Sequence, residues 1–420
     1  MGNTAFDTMI GYEEIKLELL RILDRLQNPG KYEKLGVTAP HNILLYGEPG
    51  VGKTMFAQCF MDATGWKQFV CRKDKPDGEF INEITRVFEQ AETESPSVIL
   101  LDDLDKFANE DECRRDAEEF VAVQTCIDRV KDKRVFVIAT ANNKHKMPDS
   151  LVRAGRFDQI LRLQSPSGKE AEQIVSYYLS QRSFVADVDT RRIARLLTGY
   201  SCAELETVIN MAGIYAGYED RNQIEMRDIL KAILRIMYRA PESTEGDGLN
   251  TEQIACHEAG HTLVAQLLEP GSVDLVTVHR HNGNVDGITA LYQQEDYFQS
   301  KKQMENRVLC LLAGKAATEL RYGMTDTGAG SDLRRAFRIV DRMVGEYCSF
   351  GFDKCKYTDM QSEALVARRE QQVASEMDRY YAQVKQVLAE NWRKLEVLML
   401  RLQKEKILLG DQIQEIVGSA

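Results

Sequence analysis

Nine cysteines are scattered through the 420 residues (59, 71, 113, 126, 202, 256, 310, 348 and 355), and no two of them form a CxxC pair. That absence excludes a zinc ribbon and offers no disulfide framework, so the thiols read as reduced and mostly buried, as in a cytosolic protein. Long apolar runs are also missing: none approaches the roughly 18 residues that a membrane helix needs. No secretory leader is legible, since MGNTAFDTMIGYEE is polar and passes directly into a helical pattern. Basic excess is lacking too. With 54 Lys and Arg against 65 Asp and Glu, the formal net charge is −11, which disfavours a nucleic-acid binder. There is no internal repeat and no low-complexity tract. What remains is ordinary globular material, 43% hydrophobic and 28% charged, long enough for two or three domains.

Periodicity divides the chain. Ile15, Leu19, Leu20, Ile22 and Leu26 recur at helical spacing until NPG at 28–30 stops the pattern. NILLY (42–46), SVILLDD (97–103) and RVFVIATAN (134–142) are short apolar strands separated by helical stretches, which predicts a parallel sheet covered on both faces. From about 165 to 239 the pattern is purely helical. APESTEGDG (240–248) is polar and aperiodic, the best linker candidate. A third unit follows, with a helix near 251–267, strand-like DLVTVHRH and GITALYQQ, then more helices. Val373, Met377, Tyr380, Val384, Val387, Leu395, Leu398 and Leu402 fall at steps that predict a closing helical hairpin, without the sustained heptads of a coiled coil.

GEPGVGKT (47–54) matches the P-loop pattern between a strand and a helix. Its backbone N–H groups, from Gly47, Glu48, Gly50, Val51 and Gly52, can turn around phosphate oxygens, with Pro49 lending the loop its fixed φ but no donor. Lys53 adds a cation, and the Thr54 hydroxyl suits Mg²⁺. An apolar strand ending in acid is the second half of such a site. VILLDD supplies Asp102 for Mg²⁺ and Asp103 to orient or deprotonate the attacking water. A further strand end places Asn142 as a γ-phosphate sensor, and LVRAGRFD offers Arg153 and Arg156 as arginine fingers. ATP or ADP with Mg²⁺ is therefore the expected ligand.

ACHEAGHTLVA (255–265) holds His257 and His261 four residues apart, hence on one helical face, with Glu258 beside the first. HExxH on a helix supplies two imidazole ligands to zinc and a carboxylate base for water. A catalytic zinc needs a third protein ligand and one open position. His279 and His281, on one face of a strand, compete for that place with many downstream acids, although they also read as ordinary strand residues.

The run FDTMIGYEE, LQNPGKYEKLG, NILLYGEPGVGKT, VILLDDLD, ATANN, LVRAGRFDQ and GYSCAEL resembles the AAA+ ATPase module of the FtsH family, which couples ATP hydrolysis to proteolysis through a zinc protease domain on the same chain. The resemblance spans essentially all 420 residues. It implies an α/β AAA+ P-loop module, a parallel sheet plus helical lid, followed by a mainly α-helical zinc metalloprotease domain. The expected limits are 1–165 for the large α/β nucleotide-binding subdomain and 166–240 for the helical lid. A linker over 241–250 and the protease domain with its C-terminal hairpin over 251–420 would follow. By resemblance, Ile10, Gly11, Gly199 and Ala203 flank the adenine, and Arg153 and Arg156 reach the nucleotide of the neighbouring subunit in a homo-oligomeric ring, a hexamer. Asp332, in TGAGSDLRRA, becomes the third ligand of one zinc per chain. LLAGKAATEL (311–320) resembles the helix beside the site, and GITALY the edge strand to which an extended peptide can pair. The implied function is an ATP-dependent zinc endopeptidase that unfolds, translocates and hydrolyses unfolded or tagged proteins.

Three departures stand against that pattern. Most relatives carry Glu at the position of Asp103, which predicts slow ATP turnover with intact binding. The aromatic–hydrophobic–Gly pore loop has only Phe80, Ile81 and Asn82 as its nearest equivalent, and Phe80 reads equally as a core residue. The transmembrane part usual in the family is not legible, which predicts a cytoplasmic chain or a piece of a membrane-anchored parent. The competing functions are a zinc peptidase weakly coupled to ATP, with the ring as scaffold or gate, and a nucleotide-driven remodeller without protease activity.

Overall fold

The computed structural model describes residues 6–7, 9–36, 42–73, 77–107, 117–131, 133–152, 155–182, 185–238, 251–281, 285–291, 299–323, 327–356 and 362–419. The chain divides into two compact units, 1–229 and 230–420. The expected linker, 241–250, lies outside the described residues.

The first unit opens with α1 (Glu13–Gln27) and α2 (Pro29–Glu33), the second starting on the proline that ends the first pattern. β1 (Asn42–Tyr46), α3 (Lys53–Thr64), β2 (Lys67–Arg72), α4 (Asp77–Thr93), β3 (Ser97–Asp102), α5 (Ala117–Val130), β4 (Val135–Ala141) and β5 (Gln159–Arg162) then alternate. The sheet is wholly parallel, in the order β2-β3-β4-β1-β5. β3 and β4 are buried along their full length, as continuous apolar runs between two helical layers must be. Val137, Ala139 and Ala141 join the core formed with α4 and α5. The alternate residue Phe136 stacks instead on Phe60 of α3, with ring centroids 5.5 Å apart. The edge strands β2 and β5, absent from the sequence-based expectation, are short and only partly buried.

The helical portion comprises α6 (Gly168–Ser180), α7 (Thr190–Leu196), α8 (Cys202–Tyr218) and α9 (Met226–Met237), within which the division between units falls. Ser201 and Glu204 form a capping box on α8, satisfying two donors that a helix start otherwise leaves unpaired. Arg221 grips the buried Asp228 through both guanidinium nitrogens.

The second unit holds α10 (Thr251–Leu268), β6 (Val273–His281), β7 (Val285–Leu291), α11 (Lys301–Tyr322), α12 (Gly330–Gly345), α13 (Glu363–Glu390), α14 (Trp392–Glu405), β8 (Ile407–Leu409) and α15 (Gly410–Ser419). β6 is the centre of a small antiparallel sheet, β7-β6-β8, leaving β7 at an edge. Asn391 alone joins α13 to α14. α13 packs mainly on α11 and α12, whereas α14 packs mainly on α10, so the two helices cover different parts of the unit. Among the described residues no helix is long and apolar enough to cross a membrane.

Candidate nucleotide and metal sites

The P-loop leaves β1 at Tyr46 and enters α3 at Lys53. Gly47 lies so close to β5 that a Cβ there would stand 2.0 Å from the Leu163 carbonyl oxygen, a contact no side chain survives. The buried Lys53 ammonium donates to the carbonyls of Gly47 and Glu48, each at 2.8 Å. Burial lowers its pKa, opposed by the charges of Asp103, Asp105 and Asp102. Asp102, at the end of β3 and 3% exposed, accepts from the hydroxyls of Thr54 (2.9 Å) and Thr140 (2.8 Å) through Oδ1. The two halves of the expected site therefore meet through one carboxylate.

Cations that the motif reading did not anticipate hold both acids. Arg72, register partner of Asp102 on β2, reaches its Oδ2 at 2.9 Å and lies 4.0 Å from Asp103. Lys106 donates to Asp103 Oδ2 at 2.6 Å. The exposed β2 end concealed this role, because a lone arginine after a weak strand pattern carries no motif. Asn142 follows Ala141 directly at the end of β4, beside the P-loop, since Gly47 N–H donates to the Ala141 carbonyl.

Of the residues expected around the adenine, Ala203 meets the P-loop directly. Ala203 N–H donates to the Gly50 carbonyl at 3.1 Å. Tyr12, next to Ile10 and Gly11, donates from its backbone to Glu170 and from its hydroxyl to the Gln164 carbonyl, and that hydroxyl lies 3.4 Å from Cys202 Sγ. Gly199 adopts a positive φ of 84° two residues before the α8 cap. Arg153 lies outside the described residues. Arg156 is buried in its own subunit, forming a two-nitrogen pair with Asp128 (2.9 and 2.7 Å) and donating to the Ser150 carbonyl. Phe80 is fully buried in α4, edge-on to Phe107, and belongs to the core rather than to an exposed gripping loop.

In the second unit, α10 stacks His257 and His261 one turn apart, with their Nε2 atoms 3.0 Å from each other. Asp332, in the first turn of α12, brings Oδ2 to 3.5 Å from His257 Nε2 and 3.4 Å from His261 Nε2. Ligand atoms around a tetrahedral zinc with bonds of 2.0–2.2 Å stand about 3.3 Å apart, so this donor set fits such an ion without rearrangement. Among the described residues, these three are the group able to hold a metal. His279 and His281 lie on β6, but their side chains fall outside the described residues.

Neighbouring groups fix the cluster. The Cys310 carbonyl stands 2.6 Å from His261 Nδ1, which places the proton on Nδ1 and the lone pair on Nε2. Gly314 forms the floor: a Cβ there would come within 2.5 Å of Nε2 of both histidines. The imidazoles outweigh the burial of Asp332, which alone would raise its pKa, and hold the carboxyl below its usual range. Glu258, 5% exposed, accepts from Thr289 of β7 at 2.7 Å through Oε2. Burial pushes its pKa up, opposed by the nearby imidazoles and that hydrogen bond. β7 comes this close because Gly287 lacks a side chain, and a Cβ there would lie 2.7 Å from Glu258 Cγ. Resemblance placed GITALY and LLAGKAATEL at the site, but the individual roles of Gly287, Thr289 and Gly314, and that of Cys310, escaped the motif reading because each acts through tertiary proximity.

A P-loop ATPase module and a helix-borne His-Glu-His metal cluster on one chain define a class, the ATPase-linked metallopeptidases. The comparisons divide in the same way. Residues 43–165 match the ATPase family associated with various cellular activities (AAA), 187–231 the AAA+ lid domain, and 247–416 peptidase family M41. The chain is 29% identical to ATP-dependent zinc metalloprotease FtsH 2 of Symbiobacterium thermophilum, over 99% of this chain and 75% of that protein. It is 28% identical to the Bacillus subtilis ATP-dependent zinc metalloprotease FtsH, over 98% of this chain and 69% of the relative. It is 31% identical to FtsH 1 of Bdellovibrio bacteriovorus, over 84% of this chain and 56% of the relative. The chain belongs to the FtsH family.

Proposed function

We propose that this chain is an ATP-dependent zinc endopeptidase that unfolds and hydrolyses protein substrates as a homo-oligomeric ring, a hexamer by family resemblance. The observation that carries the reading is the metal-competent cluster of His257, His261 and Asp332 with Glu258 one residue from the first ligand. Zinc bound there supplies Lewis acidity, acidifying water and polarising a peptide carbonyl. Thr289 holds Oε2 of Glu258, so Oε1 takes the proton from water and later passes it to the departing amide nitrogen. The raised pKa of Glu258 suits a group that must both accept and release a proton near neutrality. The edge position of β7 supports backbone pairing of an extended substrate, a mode that reads little side-chain identity.

At the nucleotide site, the P-loop residues cradle the phosphates, Thr54 and Asp102 hold Mg²⁺, Asp103 orients water and Asn142 senses the γ-phosphate. Arg153 is assigned as an arginine finger by family resemblance. Arg156, tied to Asp128 and the Ser150 carbonyl, reaches a neighbour only after leaving its pair.

Two observations favour a second reading, in which peptide cleavage is weakly coupled to ATP: Asp103 is short and tied to Lys106, and Phe80 is core. Degradation of one folded and one unfolded substrate, with ATP, a non-hydrolysable analogue or EDTA, separates the readings. Strict coupling predicts cleavage with ATP alone and none after metal removal. EDTA-sensitive cleavage of the unfolded substrate in every nucleotide state would sink strict coupling. No cleavage by the zinc-loaded chain would leave only a remodelling role. Glu258→Gln should abolish cleavage while keeping about one zinc per chain.

A further inference from the structure

On the helix that carries the floor of the metal cluster stands a positive charge with no counter-charge among the described residues. Arg307 lies on α11 three residues before Cys310, the carbonyl partner of His261, and seven before Gly314, the floor beneath both imidazoles. Those spacings keep the three residues on one helical face, with Arg307 one turn from Cys310 and two turns from the Gly314 floor. Its helical neighbours at three and four residues are Gln303, Met304, Cys310 and Leu311, none of them acidic. Arg307 is partly buried, yet among the described residues its guanidinium has neither an ion pair nor a hydrogen bond. Burial and the like charge of Arg335 together lower its pKa. Arg335 projects from α12, which packs on α11, one turn after Asp332. Its Nη1 lies 4.0 Å from Asp332 Oδ1, the oxygen not engaged with the histidines.

A partly buried cation without a counter-charge is unfavourable, and a like charge from the neighbouring helix, here the exposed Arg335, adds to the cost. Such an arrangement is stabilised when an anion arrives from outside, and paired guanidinium forks suit a carboxylate best. General attraction of acidic peptides is not available, because the chain itself carries a net charge of −11. The selection must be local.

We propose that Arg307 and Arg335 form an anion subsite beside the metal centre, taking a carboxylate of the polypeptide substrate close to the bond being cut. The carboxylate is an Asp or Glu side chain, or the chain's own C-terminus. The inference rests on the peptidase reading and adds a substrate preference to it.

The test uses the full zinc-loaded chain and quenched peptides that differ only by Asp, Asn or Lys at successive positions around the scissile bond. A second pair carries a free or an amidated C-terminus and separates the two sources of carboxylate. An acid at one or two adjacent positions should lower KM about tenfold relative to the amide, the scale of a charge-assisted pair. Arg307→Gln should equalise the acidic and amide peptides in KM, Arg307→Lys should restore part of the difference, and zinc content should hold in both. Binding of the same peptides to the Glu258→Gln chain, followed by fluorescence anisotropy, should rank them in the same order. Equal KM for acid and amide in the parent, or an acid preference that survives Arg307→Gln, would overturn the subsite. If the parent cuts no peptide, the peptidase reading fails, and the anisotropy ranking alone upholds or overturns the anion subsite.

Discussion

In the proposed nucleotide site, Asp103 is the residue expected to limit the ATPase rate. Its backbone is left-handed (φ 56°), its N–H donates to Thr140 at 2.8 Å, and its carboxylate is tied to Lys106. Glutamate, usual at this position in the resembling family, would carry the carboxylate about 1.5 Å further from the backbone, and a misplacement of about 1 Å can cost about 10²-fold in rate. Asp103→Glu is therefore expected to raise ATP turnover at least about tenfold with nucleotide affinity unchanged. Steady-state hydrolysis and nucleotide titration check this, and equal turnover in the two chains would refute it. Gly314 governs the metal in the same local way. Gly314→Ala pushes a methyl into both imidazoles and should weaken zinc at least about tenfold, as other disruptions of ligand support do. Metal analysis after dialysis against graded chelator measures this, with ATP binding as the control.

Between helices, Glu319 is the joint of α11 and α13. It accepts from Lys315 (2.8 Å), Tyr381 (2.6 Å) and Lys385 (2.5 Å), and these bonds lower its pKa from 4.5 to about 2. A carboxylate with a depressed folded pKa contributes stability above its unfolded pKa and loses it as pH falls toward the folded value. Solvent screens the cluster, so the contribution is at most about 1 kcal/mol. Urea unfolding should find Glu319→Gln less stable by about 0.5–1 kcal/mol at pH 7, with the gap narrowing as the pH drops below 4.5. A gap independent of pH would point to packing instead. Elements also differ in how plainly they can be read. β1, β3 and β4 are evident as apolar runs because both faces are buried. β2, with a mixed KQFVCR sequence at the sheet edge, and the three-residue β8 lack that pattern and form through their neighbours. The partners of α13 and α14 were equally hidden, since helical periodicity reports a buried face and not what covers it.

For the molecule as a whole, two units with separate cores and separate ligands imply separable stability. A ligand that binds only the folded form at 100 times its Kd stabilises it by about 2.7 kcal/mol. Calorimetry should therefore show ATP with Mg²⁺ raising one unfolding transition and zinc raising another. EDTA should lower only the second in Mg²⁺-free, nucleotide-free protein. One transition that both ligands shift equally would show that the units unfold together.

The local chemistry was legible in the amino-acid order because it depends on short spacings: a P-loop between strand and helix, and an i, i+4 histidine pair with its glutamate. Backbone geometry alone brings such residues together. Asp332 stands 71 residues beyond His261, and only resemblance singled it out among the downstream acids, because no spacing rule joins separate helices. Packing of α10, α11 and α12 brings it to the histidines. The same physics buries Phe80, which local sequence left open between pore and core, and pairs Arg156 with Asp128. It also lays Arg72 on Asp102 and leaves Arg307, on the helix that carries the floor of the metal cluster, without a counter-charge among the described residues. Burial and pairing are properties of the neighbours a side chain meets, and those neighbours come from distant parts of the chain.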